Sequence, residues 1–331
     1  METNRPICVL GSNSFSGAYF CAHLLAQGKE VIGVSRSSQY IDALMPYKWK
    51  EHSRFQFKQL DINHDLQKIN VLLDLYQVEH LYNFAAQSMV SQSWVHPEHW
   101  FATNTVSTIK LHNMLINKDY LDKYIHISTP EVYGSCVGNV IENKNYKPST
   151  PYAVSRAAAD MSLHTFFDTY QFPVVFTRAA NVFGEGQQLY RIIPRVIMCI
   201  LNKRMLQLHG GGISERSFIH ISDVASATQR IGERGVNGDI YHISTDRIVS
   251  IIQLVRLVCD MMEYPFEALC QMSDERLGKD QAYRLDSSKI RNELEWYDKI
   301  SLELGIERTI AWVKDNFASL ALEPENYIHR P

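Results

Sequence analysis

Two side chains near the middle of the sequence, Tyr152 and Arg156, have the types and the spacing that proton chemistry requires. They lie at the start of a segment with helical character, and residues four apart emerge on the same face of a helix. A cation beside a phenol favours the phenolate, so we expect Arg156 to lower the pKa of Tyr152. The pair therefore predicts a general base at the centre of a redox site.

A second polar segment, STPEVYG at residues 128–134, directly follows a short apolar strand. Ligands of open α/β sheets bind at the carboxyl ends of the strands. Thr129 is placed to hydrogen-bond the substrate oxygen that Tyr152 would deprotonate, and Glu131 adds a carboxylate. Pro130 between them supplies neither a proton nor an N–H group.

The elements that must position these residues alternate regularly in the first half of the chain. Short apolar strands are predicted at 7–10, 31–34, 55–60, 81–84, 124–127 and 174–177, and helices at 17–27, 64–77, 100–117 and 152–170. Continuous apolar strands that alternate with helices indicate a parallel sheet covered on both faces. The predicted fold class is α/β, a Rossmann-type doubly wound parallel sheet.

After residue 180 this alternation loosens. Longer loops separate predicted helices at 191–201, 221–231, 250–261 and 301–318, and a strand at 240–243 could return to the sheet. We therefore predict a dinucleotide-binding domain over residues 1–180 and a smaller, partly interleaved lobe over residues 181–331. The segments of this lobe that carry arginine suit a ligand with phosphate groups.

The turn after the first strand, residues 11–17, has the pattern of a dinucleotide site. Gly11 can make a tight turn, Gly17 lets the helix pack on the sheet, and the helix N-terminus, with Phe15, would face a pyrophosphate. Ser14 stands where a third glycine is usual. The alternative is an ordinary strand–turn–helix that carries small residues.

The residues after the second and third strands bear on which dinucleotide is bound. An acidic residue after the second strand would bind the adenosine ribose and repel a 2′-phosphate. This chain has Ser35 and Arg36 there, and a guanidinium pairs well with phosphate. NADP is therefore favoured, with NAD possible, unless Arg36 is an ordinary solvated residue. Asp61 and Ile62 are predicted contacts of the adenine.

Composition excludes several other classes of protein. The net charge of −3 gives no basic excess for nucleic acid, and no apolar run is long enough for a membrane span. The six cysteines are scattered, and no signal peptide is evident, so we expect a soluble cytoplasmic protein with reduced thiols. His209, His220 and His242 have no metal-site spacing, and no metal is predicted.

Taken together, the motifs resemble the nucleotide-sugar 4,6-dehydratases of the extended short-chain dehydrogenase/reductase family. The resemblance covers nearly the whole chain. It is carried by the strand-end motif and the YxxxR pair, together with FAAQS at 84–88, Asn104, NVFG at 181–184, RSFIH at 216–220, Asp223, RLGKD at 276–280 and Tyr283.

This resemblance implies a reaction and a role for each matching residue. In the family, a tyrosine deprotonates the sugar 4-hydroxyl while hydride passes to the nicotinamide; a carboxylate then removes the C5 proton, water leaves from C6, and hydride returns there. By position, Tyr152 would be the redox base, Thr129 its neighbour and Glu131 the C5 base. Further implied contacts are Ala85 and Gln87 with the cofactor, and Ser88, Asn181, Arg191, Arg216 and Arg276 with a nucleoside-diphosphate sugar.

Two departures from the family pattern leave the exact reaction open. Arg156 stands where lysine is usual; it keeps the charge and the donors for the nicotinamide ribose but cannot release a proton. Pro130 replaces the aspartic acid of glucose-type dehydratases, which favours GDP- or UDP-linked hexoses, N-acetylglucosamine included, over dTDP-glucose. An epimerase, a decarboxylase, a keto-sugar reductase or a silent dinucleotide sensor are the alternatives. The family also implies a homodimer.

Overall fold

The computed structural model describes residues 5–135, 138–273 and 284–330. Its strands are β1 Ile7–Leu10, β2 Val31–Ser35, β3 Phe55–Gln59, β4 His80–Asn83, β5 Lys123–Ile127, β6 Asn139–Val140, β7 Val174–Ala179, β8 Asn181–Phe183, β9 Leu206–His209, β10 Glu215–His220, β11 Ile240–Ile243, β12 Ile248–Ser250, β13 Cys270–Ser273 and β14 Arg284–Leu285. Seven of them form a parallel sheet in the order β11-β7-β5-β4-β1-β2-β3.

The helices cover both faces of this sheet. They are α1 Phe15–Ala26, α2 Leu66–Tyr76, α3 Pro97–Trp100, α4 Thr108–Leu115, α5 Pro151–Tyr170, α6 Ile192–Leu201, α7 Ile221–Arg234, α8 Ile251–Met261, α9 Phe266–Leu269, α10 Ser288–Leu294, α11 Leu302–Asp315 and α12 Phe317–Leu320. Alternate strand residues enter different cores: Val9 packs with residues of α1 and α7, whereas Leu10 packs with residues of α2, α4 and α5. The predicted doubly wound α/β class is confirmed.

Residues after 180 build smaller sheets beside the large one. β8, β10 and β12 form a three-stranded sheet, and β9 pairs with β13. β14 pairs with β6, so this part of the chain also contacts the loop after β5. β11 pairs in parallel with β7 at the edge of the large sheet. The two parts of the chain are thus interleaved.

The segment predicted as one helix at 100–117 is divided. α3 leads into a π-helical turn over Phe101–Ser107, and α4 follows. The wider turn directs the buried Asn104 side chain toward α5 and the loop after β4, where it finds hydrogen-bond partners. Tertiary hydrogen bonds outweigh the helical pattern here, as is common where π-turns occur at functional sites.

The helices are also relevant to membrane association. Within the three described stretches of the chain, no helix combines the length and the apolar character that crossing a bilayer requires. The 20-residue α5 carries Arg156, Asp160 and Asp168 along its length. The cysteines of the described residues are all unpaired.

Candidate active site

A cleft of about 830 Å³ opens at the carboxyl ends of the sheet strands. It brings together nearly every residue that the sequence selected: Gly11, Ser14, Phe15, Ser35, Arg36, Asp61, Ile62, Ala85, Gln87, Ser88, Thr129, Glu131, Tyr152, Arg156, Asn181, Arg191 and Arg216 all line it. Gly17 lies behind the lining and packs α1 on the turn. Arg276, with the rest of RLGKD and Tyr283, lies outside the described residues.

The turn between β1 and α1 needs glycine at both ends. Gly11 has φ +78°, and a Cβ there would lie 2.6 Å from the Ala85 amide nitrogen; a Cβ on Gly17 would lie 2.2 Å from the Gly11 carbonyl oxygen. Ser14 caps α1, because its hydroxyl accepts from the Gly17 amide at 3.1 Å and donates to the Gly11 carbonyl at 2.7 Å. Ser14, at the position where a third glycine is usual, therefore closes the turn through its hydroxyl. The N-terminus of α1 faces the cleft, where its free N–H groups could bind a pyrophosphate.

The rim after β2 is held by side chains rather than left as a loose loop. The buried Ser35 hydroxyl accepts from the Asn13 amide at 2.9 Å, so it supports the turn as well as lining the cleft. Asn13 in turn donates to the carbonyl oxygens of Ser37 and Ser38. Asp61 accepts from the Asn63 amide at 2.8 Å, which fixes the loop beneath the expected adenine position.

The motif residues after β5 form a short 3₁₀ turn. The Thr129 hydroxyl caps it by accepting from the Glu131 amide at 3.3 Å, and Pro130 occupies its first position. Since that position has no intrahelical use for an N–H group, proline fits there without loss. The turn leaves Thr129 and Glu131 in the cleft lining.

Tyr152 enters the cleft from the first turn of α5. Thr150 caps this helix through the Ala153 amide, and the Tyr152 amide donates to the Ser93 hydroxyl at 3.1 Å. These bonds fix the start of α5 against the loop after β4. A base must be held in a fixed position if it is to meet the substrate oxygen with defined geometry.

The expected lowering of the Tyr152 pKa is wrong in its net direction. Burial raises the pKa of Tyr152, and the nearby Glu131 carboxylate raises it further. Arg156, a hydrogen bond with Thr129 and Arg191 act in the opposite direction, as predicted for Arg156, but they do not outweigh burial. The sequence showed that a cation lies near Tyr152, but it could not show how completely the phenol would be shielded from water.

Arg156 is more deeply anchored than its predicted role required. Its guanidinium is almost fully buried and donates to the Ile127 carbonyl oxygen, and it lies 3.2 Å from Nε2 of His126. His126 is 3.3 Å from the Asp160 carboxylate, which also pairs with Arg178 at 2.8 Å. Arg156 thus belongs to a buried network of charges that joins β5, α5 and β7.

The loop after β4 is clamped by Asn104. Its side-chain oxygen accepts from the Gln87 amide at 2.8 Å, and its side-chain nitrogen donates to the Gln87 carbonyl and to the Ser155 hydroxyl, both at 3.0 Å. This arrangement holds the loop against α5, one turn from Tyr152. The sequence contained Asn104 as a motif residue, but the π-helical turn that aims it was not predictable from periodicity.

The electrostatic balance of the cleft favours an anion. Five arginines and three carboxylates line it, and the arginines are Arg36, Arg156, Arg191, Arg216 and Arg330. Arg191 precedes α6, and Arg216 is 9% exposed on β10, where it donates to the Glu215 carbonyl. Guanidinium groups from both parts of the chain thus converge where phosphates would lie.

The sequence did not predict the role of the C-terminal segment 323–330, called the tail below. Tyr327, Ile328 and Arg330 line the cleft, and the Arg330 carbonyl accepts from Arg36 at 2.8 Å and from Gln87 at 2.7 Å. Both donors were predicted cofactor contacts. The tail carries no glycine pattern or periodicity, so the sequence held no signal that would have brought it to the cleft.

Comparison with known proteins identifies relatives of the same architecture. A family model described as GDP-mannose 4,6 dehydratase matches residues 8–309. The mouse dTDP-D-glucose 4,6-dehydratase is 32% identical over 284 residues, which cover 82% of this chain and 78% of that protein. The solved dTDP-glucose 4,6-dehydratase of Streptomyces venezuelae, with NAD and TYD bound, is 27% identical, has a TM-score of 0.88 and covers 95% of this chain and 98% of its own.

A second solved structure belongs to a related activity. The UDP-glucuronic acid 4-epimerase of Bacillus cereus, in complex with UDP-glucuronic acid and NAD, is 26% identical, with a TM-score of 0.85 and coverage of 94% and 99% of the two chains. The fold and the cleft thus define a Rossmann protein of the extended short-chain dehydrogenase/reductase class. Within that class, the chain belongs to the GDP-mannose 4,6 dehydratase family. The resemblance seen in the motifs is confirmed.

Proposed function

We propose that this protein is a nucleotide-sugar 4,6-dehydratase, which converts a nucleoside-diphosphate hexose into its 4-keto-6-deoxy derivative. The observation that carries the proposal is the convergence of Thr129, Glu131 and Tyr152 in one cleft beside a glycine turn suited to a dinucleotide. The relatives named above support the reaction class. A bound nicotinamide dinucleotide supplies the hydride acceptor and donor for this chemistry.

The residues of the chain divide the proton transfers among them. Tyr152 takes the proton of the sugar 4-hydroxyl, and Thr129, hydrogen-bonded to the phenol, orients the shared oxygen. Glu131, beside them, removes the C5 proton once the C4 carbonyl has acidified it. Because Pro130 carries no proton, Glu131 then delivers the proton to the departing C6 hydroxyl, directly or through a water molecule.

The raised pKa of Tyr152 sets a condition on this order of events. Burial keeps the proton on the phenol, and Arg156 and Arg191 favour the phenolate without outweighing burial, so the base form needs the further positive charge that an oxidised nicotinamide would bring to the cleft. Arg156 acts through charge alone, since arginine does not release a proton at functional pH. We therefore assign it electrostatic support of Tyr152 and a ribose contact, with no part in a proton relay.

The positive charge of the cleft supports an anionic sugar nucleotide as the substrate. Arg191 and Arg216 come from the lobe after residue 180, which we assign to the nucleotide sugar, whereas residues 1–180 would hold the dinucleotide. Pro130 led us to favour GDP- or UDP-linked hexoses, N-acetylglucosamine included. The mouse and Streptomyces relatives, named for dTDP-glucose, make that sugar nucleotide an equal candidate.

The cofactor is a nicotinamide dinucleotide, and we propose NADP from the chemistry of the β2 rim. Arg36 lines the cleft there, and residues 36–39, directly after β2, include no carboxylate that would repel a 2′-phosphate. The Streptomyces and Bacillus structures contain NAD. NAD is therefore the alternative, and a direct comparison of the two dissociation constants decides between them.

The test is incubation with dTDP-, UDP- and GDP-linked hexoses in deuterated water without added reductant. We expect a 4-keto-6-deoxy product with deuterium at C5 and no net change in cofactor. Tyr152→Phe should abolish turnover, whereas Tyr170→Phe, on the exposed end of the same helix, should not. Failure of every hexose to react while the dinucleotide binds would refute the proposal.

A 4-epimerase is the second candidate. It is favoured by the Bacillus structure and by Pro130, because epimerisation at C4 needs no acid for a leaving hydroxyl. The same incubation separates the two activities. Recovery of the C4 epimer without loss of the C6 hydroxyl would establish the epimerase.

We also propose that the protein is a cytoplasmic homodimer. Val106 on the π-helical turn and Val154 and Met161 on the adjacent α5 are exposed apolar side chains on neighbouring helices. Light scattering should give twice the mass of the chain, and Met161→Glu should shift it toward the monomer. An unchanged monomeric mass in the wild-type protein would refute the dimer. The unpaired cysteines of the described residues suit a reducing compartment.

A further inference from the structure

A compact group of metal-ligating side chains lies outside the proposed chemistry, at the start of α3. The imidazole Nδ1 of His96 is 3.5 Å from the Glu98 carboxylate, and Nε2 of His99 is 3.8 Å from the same oxygen. Their ligand atoms all lie within 4.8 Å of one another. Among the residues that the structure describes, this is the one such group of three. The sequence predicted no metal site, since the spacing of His209, His220 and His242 suits none.

The tail adds a third histidine, His329, beside this group. Nε2 of His329 lies 2.8 Å from Nδ1 of His99, a hydrogen bond between two imidazoles. The His329 ring also stacks on the buried Trp100, with centroids 4.8 Å apart and planes 13° apart. When Nδ1 of His99 donates in this bond, its Nε2 keeps a lone pair directed toward Glu98. A metal-bound histidine usually donates its other N–H to an outer carboxylate, carbonyl or water, and Nε2 of His329 would take the place of that acceptor here.

We propose that His96, Glu98 and His99 bind a divalent transition metal of the Zn²⁺ type, with His329 as the outer partner of His99. Bonds of about 2.0–2.2 Å in a tetrahedral site separate ligand atoms by about 3.3 Å, close to the two distances measured here. Two imidazoles and a carboxylate suit Zn²⁺ better than Mg²⁺ or Ca²⁺. His96 and Glu98 are exposed, so their side chains can close on the ion and water can fill its remaining position.

The metal would act on the dinucleotide cleft through the tail. From His329 the chain runs directly to Arg330, whose carbonyl accepts from Arg36 after β2 and from Gln87 after β4. These contacts span the cleft from one rim to the other. An ion that fixes His99 strengthens the hold on His329 and so keeps the tail across the cleft. Metal binding and retention of the dinucleotide are therefore coupled, and the coupling is reciprocal.

The metal site can be tested without any sugar or dinucleotide. The full chain, stripped with EDTA, is titrated with Co²⁺ while its visible absorption is followed, and Zn²⁺ is then added as a competitor. We expect one equivalent to bind, His96→Ala and His99→Ala to abolish the signal, and His329→Ala to weaken affinity about 10- to 100-fold. His52→Ala, outside the cluster, is the control. Absence of binding, or binding that the His96 and His99 variants leave unchanged, would overturn the site.

The coupling rests on the proposed dinucleotide site and needs a second measurement. Release of the fluorescent reduced dinucleotide is followed by stopped flow with Zn²⁺ and with EDTA. Zn²⁺ should slow release from the wild-type protein and leave His329→Ala unaffected; equal rates in the wild-type protein would overturn the coupling. A chain that binds Co²⁺ but no dinucleotide would refute the proposed function while leaving the metal site intact.

Discussion

Replacing Asp160 with asparagine tests the buried network that supports the active site. The Asp160 side chain is fully buried on α5 and pairs with Arg178 on β7 at 2.8 Å. It also accepts from the Ser128 hydroxyl at 2.7 Å and lies 3.3 Å from His126, both on or next to β5. Asparagine preserves the volume but leaves the buried Arg178 without its counter-charge.

The cost of this change follows from burial. Removing one partner of a buried ion pair costs about 3–5 kcal/mol, because the remaining charge cannot be hydrated. The whole free energy of unfolding of a folded domain is only about 5–15 kcal/mol, so this loss is a large part of it. Asp160→Asn should therefore lower the free energy of unfolding by about 3–5 kcal/mol in urea titrations. Asp168→Asn, exposed on the same helix, should change it by less than about 0.5 kcal/mol.

The stabilisation that Asp160 provides should depend on pH in a defined direction. Burial alone would raise the pKa of Asp160, but the hydrogen bond with His126 and the charge of Arg178 hold it well below its ordinary value. A depressed pKa contributes stability that is present above the unfolded value of about 3.9 and is lost as pH falls through the folded value. The difference in the free energy of unfolding between the wild-type protein and Asp160→Asn should thus be constant near neutral pH and become smaller in acid.

Two results would refute the reasoning. The first is a loss of less than about 1 kcal/mol at pH 7, which would mean that Arg178 is stabilised without the carboxylate. The second is a double variant, Asp160→Asn with Arg178→Met, that loses as much stability as Asp160→Asn alone. Removal of the unpaired buried charge of Arg178 should instead restore part of the stability.

The remaining predictions concern the reaction. Tyr152→Phe should leave the dinucleotide dissociation constant within about twofold while abolishing C4 oxidation, measured by cofactor reduction in a single turnover. Glu131→Gln should permit C4 oxidation but block deuterium exchange at C5. It should also move the ascending limb of the pH–rate profile for C4 oxidation to lower pH, because Glu131 raises the pKa of the base Tyr152. An unmoved limb would contradict that electrostatic assignment. Arg156→Met should move the limb to higher pH, since Arg156 lowers the same pKa. Arg36→Asp should shift preference from NADP toward NAD, and an unchanged ratio of dissociation constants would contradict the role assigned to the β2 rim.

The sequence predicted those parts of the fold that depend on local patterns. Buried strands such as β1 and β5 are short and continuously apolar, and the turn after β1 needs glycine at 11 and 17 for reasons of backbone geometry alone. The motif residues at 129, 131 and 152 were found because their types are tied to chemistry and the strand end fixes where they meet.

Other parts depend on contacts between distant residues and were beyond local reasoning. The tail reaches the cleft through a hydrogen bond from Gln87 to Arg330, 243 residues away. The net pKa of Tyr152 depends on how completely the surrounding elements exclude water, which no spacing expresses. The π-helical turn at Phe101–Ser107 exists because Asn104 finds partners on two other elements.

The edge position of β11 has a consequence for how the chain acquires its fold. β11 pairs with β7, although about 60 residues of other structure separate them in sequence. During synthesis, β7 would emerge from the ribosome with one row of backbone groups unpaired and would stay so until residue 243 followed. A fragment that ends near residue 180 would carry that open edge permanently, prone to pair with other chains. Removal of the second lobe would therefore leave the sheet of the first with an unpaired edge, although we assign the two lobes to different ligands.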